Sequence, residues 1–341
     1  MAVFREVKEP WGNTTLIESD PGEETCRSAI FVPFRRDLIF HSDPEWGVYH
    51  NDGRLVESAA YYRGPDKLLV GQSKNTTLRP STLPFMDEEL IYGGPFIMHY
   101  GHFLAAALPR LWHLRGLAGS RLRIVCHGHE GPRDWFALDY VRSILSALGL
   151  REENFVQIDR PTVIRRLWVP CPAMEEQNFV HRALDDVGQA IGRSYHVHLE
   201  QRSDRPIYLS KTRLGLGITR FQDEQVLEDL LADRGFEIVH PQELSFPEQV
   251  RQFARARAIV ATIGSGLHSS LFLDRPSRVL ALVGANNVNS NYILIDRLKG
   301  NDSLYLYPEA MLGGRPDDGG FQLTFTIEDM PAVAKAFADL V

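Results

Sequence analysis

The chain of 341 residues is 44% hydrophobic and 24% charged and carries a formal net charge of −7. This length is too great for one simple core and suits two domains of ordinary size in a water-soluble protein. The acidic balance, relieved only by short basic pairs such as Arg35-Arg36 and Arg165-Arg166, argues against a nucleic-acid partner, which would favour a basic stripe.

The opening stretch MAVFREVKEPWG lacks the apolar segment of a secretion signal, and nowhere do about 18 apolar residues run together. Cys26, Cys126 and Cys171 are scattered without Cys-x-x-Cys spacing, which points away from a zinc knuckle or disulfide framework and toward a reducing, cytoplasmic setting. Residues 1–90 are rich in Pro, Gly, Asp and aromatics, with strand-like pieces at 29–34 and 68–70. Asn51-Asp52-Gly53 is a hairpin-type turn signal, so this region reads as a β-rich elaboration. From Gly101 the texture turns helical. Phe103, Leu104, Ala107, Leu108, Leu111 and Leu114 fall at helical spacing, and Pro109 should kink or split that helix. A strand at 122–126 with Cys126 as a buried thiol, a helix at 135–148 stopped by Gly149, and strands at 155–158 and 164–169 follow. A long helix is expected over 178–199.

The second half is more regular. Strands are expected at 207–210, 236–240, 258–263 and 278–283, with helices at 223–234, 245–257 and 267–273 between them. Gly235 stops the first of these helices, and Ser245-Phe-Pro-Glu248 is a capping box that opens the second. Such alternation is the signature of a parallel sheet covered by helices on both faces. The tail helix near 327–340 is expected to pack back on the first half.

Three groupings suggest chemistry. A buried strand runs into Gly264-Ser265-Gly266 and then a helix, a turn that either merely reverses the chain or lets backbone amides and a helix N-terminus receive a phosphate. His268 and Ser269 lie in the first turn beyond it, as donor contacts or, for His268, as a ring that points to solvent or caps its own helix. Lys211 and Arg213 follow the neighbouring strand and Arg220 follows a Gly-rich loop, cations suited to a diphosphate leaving group. Glu224 is either a helix-dipole partner or a ligand for a ribose hydroxyl. In the first half, His99-Tyr-Gly-His102 sets His102 where a helix is expected to begin. There the ring is either a helix-start histidine bonded to backbone, a metal partner of His99, or, kept neutral by the dipole, a general base. His99 and Arg110 are acceptor-side candidates, and His127-Gly-His129 is either an acceptor loop or a polar turn. No Asp-x-Asp triplet occurs, so leaving-group stabilisation by protein groups, without a metal or other cofactor, is the simpler expectation.

The order and spacing of Tyr208-Leu-Ser-Lys211, Gly235-Phe-Glu-Ile-Val239, Pro241-Gln-Glu-Leu-Ser-Phe246, Ala256-Arg-Ala-Ile-Val260 and Gly264-Ser-Gly-Leu267 resemble glycosyltransferase family 61. Gly101-His-Phe-Leu104 and Leu108-Pro-Arg-Leu-Trp112 add to it. The resemblance implies an α/β, GT-B-like protein: two Rossmann-like domains facing a cleft, with the β-rich elaboration at the N-terminus. It assigns an acceptor-side domain to 1–200 (elaboration 1–90, α/β part 91–200), a donor domain to 201–325, and a final helix to 326–341. It further implies inverting, metal-independent transfer from a nucleotide-sugar donor to a hydroxyl of a glycan or glycolipid acceptor, as in bacterial capsule and other surface-polysaccharide synthesis. Peripheral membrane association would come only through that acceptor. The family usually reads His-Gly-Ala-Gly-Leu-Thr-Asn at the glycine turn, where this chain has Ile263 for the histidine and His268-Ser269 for Thr-Asn, and Lys211 stands for the commoner Arg. Two other readings fit the same fold: a polysaccharide pyruvyltransferase, and a glycan- or nucleotide-binding module without turnover.

Overall fold

A computed structural model describes residues 4–35, 37, 42–114, 121, 123–196, 203–215, 219–308, 312–316 and 323–341. The protein is mixed α/β with several sheets and divides into two compact units. One comprises Met1–Trp11 with Gly192–Val341, the other Gly12–Ile191. The division differs from the 1–200/201–325 expectation: it falls inside the helix Ala183–His196, and the first residues belong with the later part of the chain.

In the Gly12–Ile191 unit a six-stranded sheet runs in the order Phe155–Val156, Ile124–His127, Phe85–Pro95, Thr162–Pro170, Glu23–Val32, Gly47–Tyr49. The first four strands are parallel and Glu23–Val32 runs antiparallel to both its neighbours, so the supposed β-rich elaboration supplies Glu23–Val32, the edge strand Gly47–Tyr49 and much of the central strand Phe85–Pro95. Phe85–Pro95 shifts register between Tyr92 and Gly94, and Gly94 has φ +89°, a conformation that suits glycine. The helix expected over 101–117 is broken up, as Pro109 requires. A short α-turn Tyr100–His102 passes into a π-helical turn Phe103–Ala107 and 3-10 turns Leu108–Arg110 and Trp112–Leu114. The helix expected over 178–199 is preceded by a strand, Phe179–His181, and within the described residues it spans Ala183–His196.

The other unit holds a parallel sheet in the order Glu237–Val239, Ile207–Leu209, Ala258–Thr262, Arg278–Leu282, Asp302–Pro308. Phe4–Glu6 pairs antiparallel on the outer edge of Asp302–Pro308, and Glu9–Trp11 pairs with Asn287–Asn289. Alternate residues fill two cores. Ile207, Leu209, Ile259, Ala261, Val279 and Ala281 face Phe253 and Leu267. Tyr208, Val260, Leu280 and Leu282 face Leu227, Leu231, Val333 and Phe337. Burial on both faces explains why these strands read as nearly continuous apolar runs. The helix Met330–Leu340, expected to pack on the first half, is grouped with this unit. Val333, Ala334 and Phe337 give it an apolar stripe that this core takes up beside Glu224–Ala232. The capping box of Ser245 and Glu248 starts the helix Phe246–Arg255.

Candidate functional site

The parallel sheet runs second-first-third-fourth-fifth in chain order, so its connections reverse direction between Ile207–Leu209 and Ala258–Thr262. Ligands of doubly wound sheets bind beyond the carboxyl ends of the strands at this reversal. Three neighbouring strand ends deliver Ser210–Arg213, His240–Glu243 and Ile263–Gly266 to this edge. Lys211, half-buried, donates from Nζ to the Ile263 carbonyl (2.9 Å) and lies 5.5 Å from the Phe221 ring centroid. Burial pushes its ammonium down to about 8, partly offset by the Glu224 charge and reinforced by Arg220.

Gly264 caps the turn that follows. A Cβ there would meet Lys211 Cδ at 3.3 Å, so glycine lets the lysine lie flat across the loop. The segment beyond, expected as a short helix over 267–273, is a 3-10 helix, Ser265–Phe272. Its first amides lack intrahelical acceptors, as at any helix start, and Gly264, Ser265 and Gly266 are half-buried, open enough to be reached. His240 adds a buried Nδ1 with no hydrogen-bond partner among the described residues.

Other donor-side candidates fall differently. Arg213 is exposed and paired with Glu243 (2.6 Å), and Arg220 donates to the Gly215 carbonyl. Glu224 is buried beneath the strand ends. Its Oε1 accepts from Tyr208 Oη (2.7 Å), Thr262 Oγ1 (3.2 Å) and the Lys211 amide (3.4 Å), so it ties the strand ends together. Glu228, one turn on, does the same for Ser210 and Thr212. Ser269 is turned inward, accepting from Gln249 Nε2 (2.7 Å), and His268 is buried with its ring stacked on Tyr292 at 4.7 Å. Sequence order marks both as first-turn residues but does not tell which way a 3-10 turn points them.

A second cluster forms within the Gly12–Ile191 unit. The buried carboxylate of Glu176 accepts from Tyr61 Oη, with Arg63 Nε at 3.4 Å and His102 Nδ1 at 3.6 Å. Burial works against charge on Glu176, yet His102, Arg63 and Tyr61 together hold its pKa down to about 2. His99 stands 5.1 Å from His102, ring to ring, and burial lowers its pKa, helped by His102 and Arg63. The α-turn holding His102 is only three residues long, so the helix-dipole argument for this ring does not apply. Its nearest charged neighbour is a carboxylate. Nδ1 faces that carboxylate at ion-pair rather than hydrogen-bond distance. Tyr61, Arg63 and Glu176 carry no signal in the sequence, because they meet His102 only through the fold.

Arg110, expected on the acceptor side, is fully buried. Its guanidinium donates to the carbonyls of Ser58 (2.6 Å), Ala60 (2.8 Å) and Pro170 (2.9 Å), which makes it a structural bolt. His127 is also core, not an acceptor loop. Its ring nitrogens meet Tyr92 Oη and the Val32 carbonyl, both at 2.9 Å, and burial lowers its pKa to about 3.

One unit thus carries a half-buried lysine beside a glycine turn at a sheet reversal, and the other a histidine facing a buried carboxylate. Residues 100–280 match the family model described as Glycosyltransferase 61. The chain belongs to that family, and is a glycosyltransferase acting between a sugar donor and a glycan acceptor. No curated protein matches the chain.

Proposed function

We propose that the protein is an inverting, metal-independent transferase moving a sugar from a nucleotide-diphosphate donor to a hydroxyl of a surface-polysaccharide acceptor, glycan or glycolipid. The observation that supports this reading is Lys211 packed against Gly264, with its Nζ on the Ile263 carbonyl, at the start of the glycine turn and at the sheet reversal. In this reading the two units act as the halves of a GT-B-like enzyme. Lys211 and the turn amides take the β-phosphate side of the donor, aided by Arg213 and Arg220. His102, held by Glu176, accepts the acceptor's proton as its oxygen bonds to the anomeric carbon. The bond from that carbon to the diphosphate breaks, and the nucleoside diphosphate leaves with the electron pair. Fixed cations and amides stabilise the growing negative charge, the task a metal performs elsewhere. A cytoplasmic setting is part of the proposal and is supported by Cys26, Cys126 and Cys171 all being free thiols.

The test is a melting-temperature screen with UDP, GDP, CDP and TDP, followed by transfer assays with the matching sugars. At a hundredfold over its dissociation constant the right nucleotide stabilises by about 2.7 kcal/mol, a shift of several degrees. Lys211→Ala should lose this shift. His102→Ala should keep it and abolish transfer, and Glu176→Gln should keep it and lower kcat more than it changes KM. No shift with any nucleotide overturns the reading. Binding without transfer to a broad acceptor panel would instead favour a module without turnover, and ketal formation from phosphoenolpyruvate a pyruvyltransferase.

A further inference from the structure

Away from both clusters, the strand Glu23–Val32 sets Glu24 and Cys26 on one face, two residues apart, and His50 follows the neighbouring strand Gly47–Tyr49. Ligand atoms of all three lie within 4.8 Å of one another. We propose that Glu24, Cys26 and His50 form a binding site for a divalent ion of the zinc class.

Distances support this. Glu24 Oε1 is 3.7 Å from Cys26 Sγ and 3.5 Å from His50 Nε2. Ligand atoms about 2.0–2.3 Å from a tetrahedral zinc stand about 3.3–3.5 Å apart, so two edges of the coordination figure already exist within a few tenths of an ångström. The donor set of one sulfur, one imidazole nitrogen and one carboxylate oxygen suits zinc or cobalt(II) rather than magnesium or calcium, which take oxygen alone. Ser58 Oγ donates to Glu24 Oε2 (2.7 Å), which engages the far oxygen and presents Oε1 toward the other two ligands, as the outer partners of metal carboxylates do. Cys26 is buried, whereas Glu24 and His50 are half-exposed, which gives an ion a route in.

On binding, the Cys26 thiol releases its proton to solvent, its sulfur bonds to the ion in place of the contact with Glu24, and water fills the fourth position. The ion would tie the strand to the turn Glu57–Ala59 through Ser58. That turn is also held by Arg110, and it leads into Tyr61 and so to Glu176. Its role is therefore structural support behind the proposed base, distinct from the transfer chemistry.

The test uses the full chain, untagged and freed of metal with a chelator, titrated with cobalt(II) while absorption is recorded. We expect a thiolate-to-cobalt charge-transfer band that saturates at one equivalent and is bleached by zinc. Cys26→Ser should abolish the band, Cys171→Ser should retain it, and His50→Ala, at a half-exposed position, should weaken affinity by at least about tenfold with unchanged circular dichroism. No band in the native sequence, or a band that survives Cys26→Ser, overturns the proposal. The three side chains would then be only a thiol, a carboxylate and an imidazole satisfying one another.

Discussion

Lys211 is placed between two opposing demands. An anion wants its full positive charge, whereas burial over Phe221 and beside Arg220 pushes its pKa to about 8. Nucleoside diphosphate affinity should therefore fall as pH rises through about 8, because the ammonium is being lost. The stability term runs the other way. The unfolded lysine keeps its proton to about 10.5, so between about 8 and 10.5 the unfolded chain binds more protons and this residue favours folding increasingly as pH rises. Calorimetric titration at about pH 7 and about pH 9 should show weaker binding at the higher pH in the native sequence and no such trend in Lys211→Met. A flat profile in the native sequence would remove Lys211 from the anion site. Lys211 was legible because a cation just past a buried strand has few places to go. Glu176 was not, being far along the chain from His102 and set among ordinary polar residues. Arg110 was misread because an arginine in Leu-Pro-Arg-Leu-Trp gives no hint that three buried carbonyls await it.

Among the elements, two glycines separate function from stability. Gly264 lies in extended backbone that any residue adopts, with φ 179°, and an added Cβ meets only the flexible Lys211 stem. Gly94 has φ +89°, and an added Cβ would come 2.5 Å from Cδ of the immobile Arg110. Gly264→Ala should therefore weaken nucleotide binding with little change in melting temperature. Gly94→Ala, combining backbone strain with overpacking, should cost about 2–4 kcal/mol and lower the melting temperature by several degrees. Thermal unfolding with and without nucleotide distinguishes these outcomes, and equal melting losses in the two variants would refute the argument. At this scale the second half was well legible. Capping at Ser245, the stop at Gly235 and both-face burial all leave local marks in composition. The 101–117 region was legible only in part. Helical spacing and Pro109 were visible, but a π-turn has the same apolar pattern as an α-helix.

For the whole molecule, the division into units makes a prediction about where a ligand is felt. A nucleoside diphosphate alone should slow amide exchange in 210–215, 240–244 and 263–270 and leave 99–110 and 174–181 unchanged. Hydrogen-exchange mass spectrometry reads this directly, and protection confined to residues 12–191 would assign the donor to the wrong unit. Two units could be anticipated from length, but the boundary could not, since it falls within a helix rather than in a Pro- or Gly-rich linker. Nothing local in Phe-Arg-Glu or Glu-Pro-Trp tells that these strands pair with Asp302–Pro308 and Asn287–Asn289.

That pairing bears on how the protein is made. Phe4–Glu6 and Glu9–Trp11 are synthesised well before the strands they pair with, Asp302–Pro308 and Asn287–Asn289. While the 12–191 segment can collapse as it emerges, the other unit cannot complete its sheet until Asp302–Pro308 has been made. A nascent chain stalled before Asn287 would thus carry two short strands with exposed edges, the natural target for a holdase.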